Sequence, residues 1–134
     1  MSRFEERARA LRARTDMHIN CAQTVLLTFA AEFGIEEETA LRLCRHFGGG
    51  MRMGAACGAF TGGLMVLGLA GLDNEALKSF TARFRELQDG RLECRELLLF
   101  NKDNGGDKKA FCDGLVFGSV ALLETLLRER GIIE

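Results

Sequence analysis

Apolar side chains recur at intervals of three and four residues along most of the chain, a pattern typical of amphipathic helices packed in a bundle. The first clear stripe consists of Ile19, Ala22, Val25, Leu26, Phe29 and Phe33. Gly34 follows this stripe, and glycine commonly ends helices. Asp16 precedes it and is a residue type that caps helix N-termini. The pattern therefore predicts a helix from about residue 16 to residue 33.

Further helices are predicted between turn signals that are rich in glycine or in small polar residues. The predicted segments are 36–47, 54–71, 74–90, a short one around 94–98, and 108–130. The segment 74–90 has the most regular stripe, formed by Leu77, Phe80, Phe84 and Leu87. Asp73 directly precedes this segment and is expected to cap it.

These segments predict an all-α fold, a single-domain helical bundle of about five or six helices with a Gly/Ala-rich central helix over 54–71. A length of 134 residues is normal for one domain, so residues 1–134 are assigned to one unit. Within it, residues 1–15 form a charged N-terminal helix or extension. Residues 16–130 form the bundle that bears the cysteines.

Charge is balanced over the chain, with 18 basic and 19 acidic residues and a net charge of −1. Such a surface lacks the positive field that attracts phosphate backbones, so nucleic acid is not an expected partner. The stretch Gly54–Leu72 is uncharged and about long enough to cross a bilayer, but its many glycines favour burial inside a bundle, and no membrane association is expected. The N-terminus lacks the apolar run of a secretory signal, which predicts a cytoplasmic location.

Five cysteines in a cytoplasmic chain are more typical of free, redox-active or metal-binding thiols than of structural disulfides. Cys57 has the most distinctive position, because a glycine-rich loop leads directly into the helix whose first turns hold it. The helix dipole and nearby Arg52 are expected to lower the pKa of Cys57. Glycines at 54, 58 and 62 leave a smooth face that another helix, with another thiol, could approach. Alternatively, these glycines serve packing alone and Cys57 is a small buried apolar residue.

Several short motifs together resemble one protein family. In chain order they are NCAQTVLL around Cys21, FGGGM at Phe47–Met51, CGAFTG at Cys57–Gly62, Cys94 shortly before Glu96 and Leu97, and Cys112 in the last helix. From Asn20 to Cys112 the chain resembles the redox-active family named for its pattern C_GCAxxG_C_C. The resemblance implies that the family's characteristic cysteines correspond to Cys21, Cys57, Cys94 and Cys112. Cys44 lies outside the pattern and is expected to be a core residue.

The resemblance implies a protein that is redox-active through cysteine thiols, by thiol–disulfide exchange or electron transfer. No cofactor is required in this hypothesis, and the substrate and the redox partner are unidentified. Cys57 is expected to be the attacking thiolate, with Cys21, Cys94 or Cys112 as the resolving thiol. There is no C-x-x-C motif, so the pair must be assembled from different helices.

Two other hypotheses stay open at this point. The same four residues, Cys21, Cys57, Cys94 and Cys112, could ligate zinc or an iron-sulfur cluster from separate helices. Alternatively, the chain is a non-catalytic helical interaction module whose glycine face packs against a partner helix, as in a possible homodimer. No C-x-x-C-H motif is present, so covalently attached haem is not expected.

Overall fold

The computed structural model describes residues 1–134 and consists of helices joined by short turns. Its α-helices are α1 (Arg3–Arg12), α2 (Cys21–Ala30), α3 (Glu37–Leu43), α4 (Gly58–Leu69), α5 (Asn74–Leu87), α6 (Cys94–Asp103) and α7 (Lys108–Glu129). A 3-10 turn follows α2, and the β structure is limited to one isolated bridge. The all-α prediction is confirmed. The seven α-helices exceed the predicted five or six because α1 packs into the bundle as well.

The charged N-terminal segment forms helix α1 and contributes to the core. Ser2 caps it, because the Ser2 hydroxyl oxygen accepts a hydrogen bond from the Glu5 amide at 3.1 Å. Phe4 and Ala8 are fully buried, and the Phe4 ring stacks on Phe29 of α2 with ring centroids 4.7 Å apart. Apolar residues four positions apart therefore anchor a helix whose other faces carry the charges.

The most extensive helix contact in the bundle is between α2 and α4, and it depends on glycine. A Cβ atom on Gly62 would lie 2.8 Å from the Ala22 carbonyl oxygen, and one on Gly58 would lie 3.2 Å from the Cys21 Cβ. The predicted close approach is thus confirmed for these two glycines, although Gly54 is not part of the face. Because α2 covers the glycine face, this face is not free to bind a partner helix. The interaction-module hypothesis requires such a free face.

An aromatic cluster fills the space between α4 and α5. The Phe60 ring lies 5.5 Å from both the Phe80 and the Phe84 ring, measured between centroids. The predicted α5 stripe is confirmed for Phe80 and Phe84 but wrong for Leu77 and Leu87, which are 39% and 57% exposed. The bundle covers a stripe of α5 that is narrower than its whole apolar face, so the flanking leucines stay in contact with solvent.

Helix α7 is long and apolar enough to cross a membrane, by length and composition only. Its inner face is buried in the bundle and consists of Leu115, Val116, Ser119, Val120, Leu123, Leu126 and Leu127. Helices α1, α2, α4 and α5 all pack against it. The stretch Gly54–Leu72, which has a similar composition, is not one continuous helix: α4 covers 12 residues of it, fewer than the roughly 20 that a bilayer needs.

Candidate functional site

Four helices begin around one cavity, which has a volume of about 500 Å³. The N-terminal ends of α2, α4, α6 and α7 line this cavity, together with the C-terminal end of α1. Its charged, sulfur-bearing and imidazole side chains are Arg12, His18, Cys21, Cys57, Cys94, Asp107, Lys108, Lys109 and Cys112. The structure therefore brings the four predicted site cysteines to one place. We call this space the thiol cavity.

Helix α2 begins at Cys21, which is later than the sequence pattern predicts. Asn20, and not Asp16, is the N-cap: its side chain accepts a hydrogen bond from the Gln23 amide at 2.8 Å, and the Gln23 side chain accepts one from the Asn20 amide at 2.9 Å. Asp16 instead pairs with Arg14 at 2.7 Å. This reciprocal capping satisfies two backbone amides and holds the Cys21 thiol at the positive end of the helix.

Two backbone hydrogen bonds tie the starts of α4 and α6 together. The Cys57 amide donates to the Leu92 carbonyl at 2.9 Å, and the Cys94 amide donates to the Ala55 carbonyl at 2.6 Å. These bonds flank the isolated antiparallel bridge, and residues on either side of a bridged pair project to the same face. Cys57 and Cys94 therefore enter the thiol cavity as neighbours, although they are far apart in sequence.

The glycine-rich loop before α4 forms one wall of the cavity in a left-handed conformation. Four consecutive residues have φ between 58° and 64°: Gly49, Gly50, Met51 and Arg52. This conformation costs about 1 kcal/mol or more at each non-glycine residue. Gly50 has no room for a side chain, because a Cβ atom would lie 2.7 Å from the Cys94 Cβ. Arg52 turns away and donates to the Arg45 carbonyl at 3.2 Å.

Cys112 lies in the second turn of α7, beside a group of paired charges. Arg12 donates to the Asp113 carboxylate at 2.6 Å, and Lys109 donates to the same carboxylate at 2.9 Å. The Arg12–Asp113 pair is largely buried, with 11% and 19% of the two side chains exposed. Lys108, the first residue of α7, is exposed and forms no ion pair. Three cations thus lie on the Cys112 side of the thiol cavity, and two of them are paired with Asp113.

Cys21 and Cys112 line the same cavity, and each affects the ionisation of the other. The hydrogen bond between their side chains raises the pKa of Cys21 and lowers the pKa of Cys112 to about 7. Burial opposes the shift at Cys112, whereas the charges of Arg12 and Lys108 add to it. Cys112 is therefore the thiol of the pair that ionises more readily, and Cys21 is its hydrogen-bond donor.

The prediction that Cys57 has a lowered pKa is wrong. Cys57 is only 3% exposed, and burial raises the pKa of its thiol to about 11 against the opposing effect of the Ala59 and Phe60 amides. The start of α4 does act on this sulfur, but the loss of solvent outweighs it. The pKa of Cys94 is also raised, first by burial and then by nearby Cys112. Both residues are neutral thiols at neutral pH.

The fifth cysteine, Cys44, is confirmed as a core residue. It has no exposed surface, and its Sγ lies 3.1 Å from the Met65 Sδ. Burial raises the pKa of Cys44 to about 11. Cys44 does not line the thiol cavity, which makes it a natural internal control for the other cysteines.

The four cavity cysteines are not arranged as metal ligands. No group of three or more His, Cys, Asp or Glu side chains is close enough to hold a metal ion, and all five cysteines are free thiols. A structural zinc site needs four ligands around one point, with sulfur about 2.3 Å from the metal. The side chains would have to rearrange to meet that requirement.

The cations of the site could not be identified from the sequence. Arg12 belongs to a charged stretch that is typical of a solvated helix face, and Lys108 and Lys109 directly follow a polar loop. Their importance depends on α1, α2 and α7 meeting in space, for which no local signal exists. One signal was available for Cys21: Asn20 with a glutamine three residues later fits a capping box and indicates a helix start at this cysteine.

The fold and the cavity together define a class of protein, a helical bundle in which four thiols from separate helices line one cavity. Within that class, the chain belongs to the family described as "Putative redox-active protein (C_GCAxxG_C_C)", which matches residues 19–126. The matched region includes all four cavity cysteines and confirms the resemblance of the motifs. No curated protein and no solved structure matches the chain.

Proposed function

We propose that this protein carries out thiol–disulfide exchange, with Cys112 as the attacking thiolate and Cys21 as the resolving thiol. The proposal depends on the position of these two thiols in one cavity and on their opposite pKa shifts, because the pKa of Cys112 is lowered while that of Cys21 is raised. The family description supports a redox role in general terms. The attacking role passes from Cys57, which the sequence had favoured, to Cys112.

The exchange consists of two displacements. The Cys112 thiolate attacks one sulfur of a substrate disulfide, forms a mixed disulfide and releases the other half as a thiolate, which takes a proton from solvent. Cys21 then loses its proton to solvent and attacks the Cys112 sulfur. This second step forms the Cys21–Cys112 disulfide and releases the remaining half of the substrate. The substrate gains two electrons, and the two protein thiols lose two.

The environment of Cys21 suits a thiol that becomes reactive second. While Cys112 is an anion, its hydrogen bond and charge keep the pKa of Cys21 raised. Once Cys112 is part of a mixed disulfide, that anion is gone. Arg12, which lowers the pKa of Cys21, and the start of α2 then favour the Cys21 thiolate. The first step therefore prepares the second.

Cys94 is the other thiol that could resolve the mixed disulfide. It is partly exposed, and its pKa responds to the charge of Cys112, so the two side chains are close. Cys57 lies on the inner side of the cavity and is almost fully buried. We assign both residues to the same redox site, with Cys94 as the competitor of Cys21.

Mapping of the first disulfide tests the proposal. The reduced protein would be treated anaerobically with a small excess of a mild oxidant, followed by a thiol count and peptide mass mapping. We expect the loss of two thiols and a peptide that links Cys21 to Cys112. The Cys44→Ser protein serves as the matched control and should give the same linked peptide. An unchanged thiol count, or a first disulfide that contains Cys57, would contradict the proposal.

A cysteine-ligated zinc ion or iron-sulfur cluster is the second candidate, and the observation that favours it is the common cavity of Cys21, Cys57, Cys94 and Cys112. Metal analysis and an absorption spectrum of anaerobically purified protein separate the two candidates. Thiol exchange predicts free thiols without stoichiometric metal. Stoichiometric zinc or iron, with these thiols protected from alkylation, would instead favour metal binding over thiol exchange as the function.

A further inference from the structure

We infer that the thiol cavity selects small disulfides that carry negative charge, such as the carboxylate-bearing disulfide of a low-molecular-mass thiol, and that Lys108 is the residue that selects them. This inference rests on the proposed function, because the selected disulfide is the one that Cys112 attacks. It adds a substrate class and a specificity residue to that function.

Of the three Arg and Lys side chains that line the cavity, only Lys108 has no ion pair. Arg12 and Lys109 both donate to the carboxylate of Asp113, at 2.6 Å and 2.9 Å. The Asp107 carboxylate accepts the Ala110 amide at 2.9 Å and caps α7. Lys108 lines the cavity and forms no ion pair. Its ammonium group is therefore the cation that remains free to meet a ligand.

Lys108 is also close to the reacting sulfur. Its positive charge acts on both Cys94 and Cys112, so a ligand bound between these thiols and Lys108 would place its disulfide at Cys112. The first turns of α2, α4 and α6 face the same space, and helix N-termini carry partial positive charge. A carboxylate near Lys108 is thus favoured over an ammonium group.

The size and lining of the cavity suit a small molecule. A volume of about 500 Å³ lies within the range of roughly 300–1,000 Å³ that is usual for small-molecule sites. Leu97, Leu98 and Leu115 add an aliphatic surface to the lining of the cavity. Such a surface accommodates the methylene groups that join a carboxylate to a disulfide.

Three small disulfides that differ mainly in charge test this inference: dithiodiglycolate with two carboxylates, neutral 2-hydroxyethyl disulfide, and cystamine with two ammonium groups. The measured quantity is the rate of Cys21–Cys112 disulfide formation, divided by the rate of each reagent with a free small thiol. We expect dithiodiglycolate to react about tenfold faster than cystamine after this normalisation, with the neutral reagent between them.

The Lys108→Gln variant should lose most of this preference, whereas Lys78→Gln on α5, which removes an exposed lysine outside the cavity, should keep it. A general loss of Cys112 reactivity in Lys108→Gln would slow all three reagents by the same factor. The ratio of the dithiodiglycolate rate to the cystamine rate therefore reports charge selection alone. Equal normalised rates in the unmodified protein, or a preference that survives Lys108→Gln, would overturn the inference alone. If none of the three reagents forms the disulfide, the proposed function itself fails.

Discussion

Cys44 and Cys112 place the same chemical group in two regions of the molecule that differ in their surroundings. Cys44 is buried beside the Met65 sulfur, and burial raises its pKa to about 11. Around Cys112 the structure has a second thiol, two cations and the start of α7, and its pKa falls to about 7. Cys57 lines the same cavity as Cys112 but behaves like Cys44, because it is buried. A helix start is therefore not sufficient for a reactive thiolate; solvent access and a hydrogen-bond donor are also needed.

The largest expected effect separates these two cysteines. Cys112→Ser should abolish the oxidant-dependent loss of thiols, because it removes the only thiol whose pKa is lowered. Cys44→Ser should lose two thiols at the rate of the unmodified protein. Thiol titration after timed exposure to a mild oxidant measures both. Equal effects of the two substitutions would remove the distinction between the core and the cavity.

The next effect concerns the close packing that brings Cys21 to the cavity. Gly62→Ala should lower the free energy of unfolding by about 1–3 kcal/mol, because the added Cβ would lie 2.8 Å from the Ala22 carbonyl oxygen. Gly68→Ala is the matched control in the same helix, where a Cβ meets nothing within 4 Å, and should raise stability by up to about 1 kcal/mol. Denaturant unfolding under reducing conditions measures both. A destabilising Gly68→Ala, or a neutral Gly62→Ala, would contradict this packing.

The smallest effect compares the two possible caps of α2. Asn20→Ala should lower the free energy of unfolding by about 1 kcal/mol, because it removes the bond to the Gln23 amide. Asp16→Ala should leave the unfolding transition unchanged, since Asp16 only pairs with Arg14 outside the helix. Denaturant unfolding of the two variants side by side is the measurement. If Asp16→Ala were the more destabilising change, the start of α2 would be misplaced.

Much of the fold follows from local pattern. The all-α class, the cap at Asp73, the core position of Cys44 and the glycine-dependent approach of α4 to another helix were all readable in the sequence, because each depends on nearby residues. The exposed Leu77 and Leu87 were not, since the width of the buried stripe depends on how much of α5 the bundle covers. The left-handed backbone at Met51 was not readable either, because such strain is imposed by the surrounding packing.

The sequence predicts which cysteines line the cavity but not which of them has a lowered pKa. Motifs indicated Cys21, Cys57, Cys94 and Cys112, and the structure brings them to one cavity. The expected lowering of the pKa of Cys57 is wrong because a helix start is visible in the sequence while burial is not. The proposed pairing of Cys21 with Cys112 and the unpaired charge of Lys108 depend on helices that are distant along the chain, so neither has a local signal in the sequence.

The most direct test of the central claim is the alkylation rate of each cysteine by iodoacetamide as a function of pH, read by peptide mass spectrometry. Alkylation requires the thiolate, so the rate at Cys112 should rise with pH through about 7 and then level off, while Cys57 and Cys44 should gain reactivity only toward pH 11. At pH 7 we expect Cys112 to react on the order of 100-fold faster than Cys57, after allowance for the lower nucleophilicity of a low-pKa thiolate. A Cys57 that reacts first, or a Cys112 rate without an inflection near pH 7, would contradict the account.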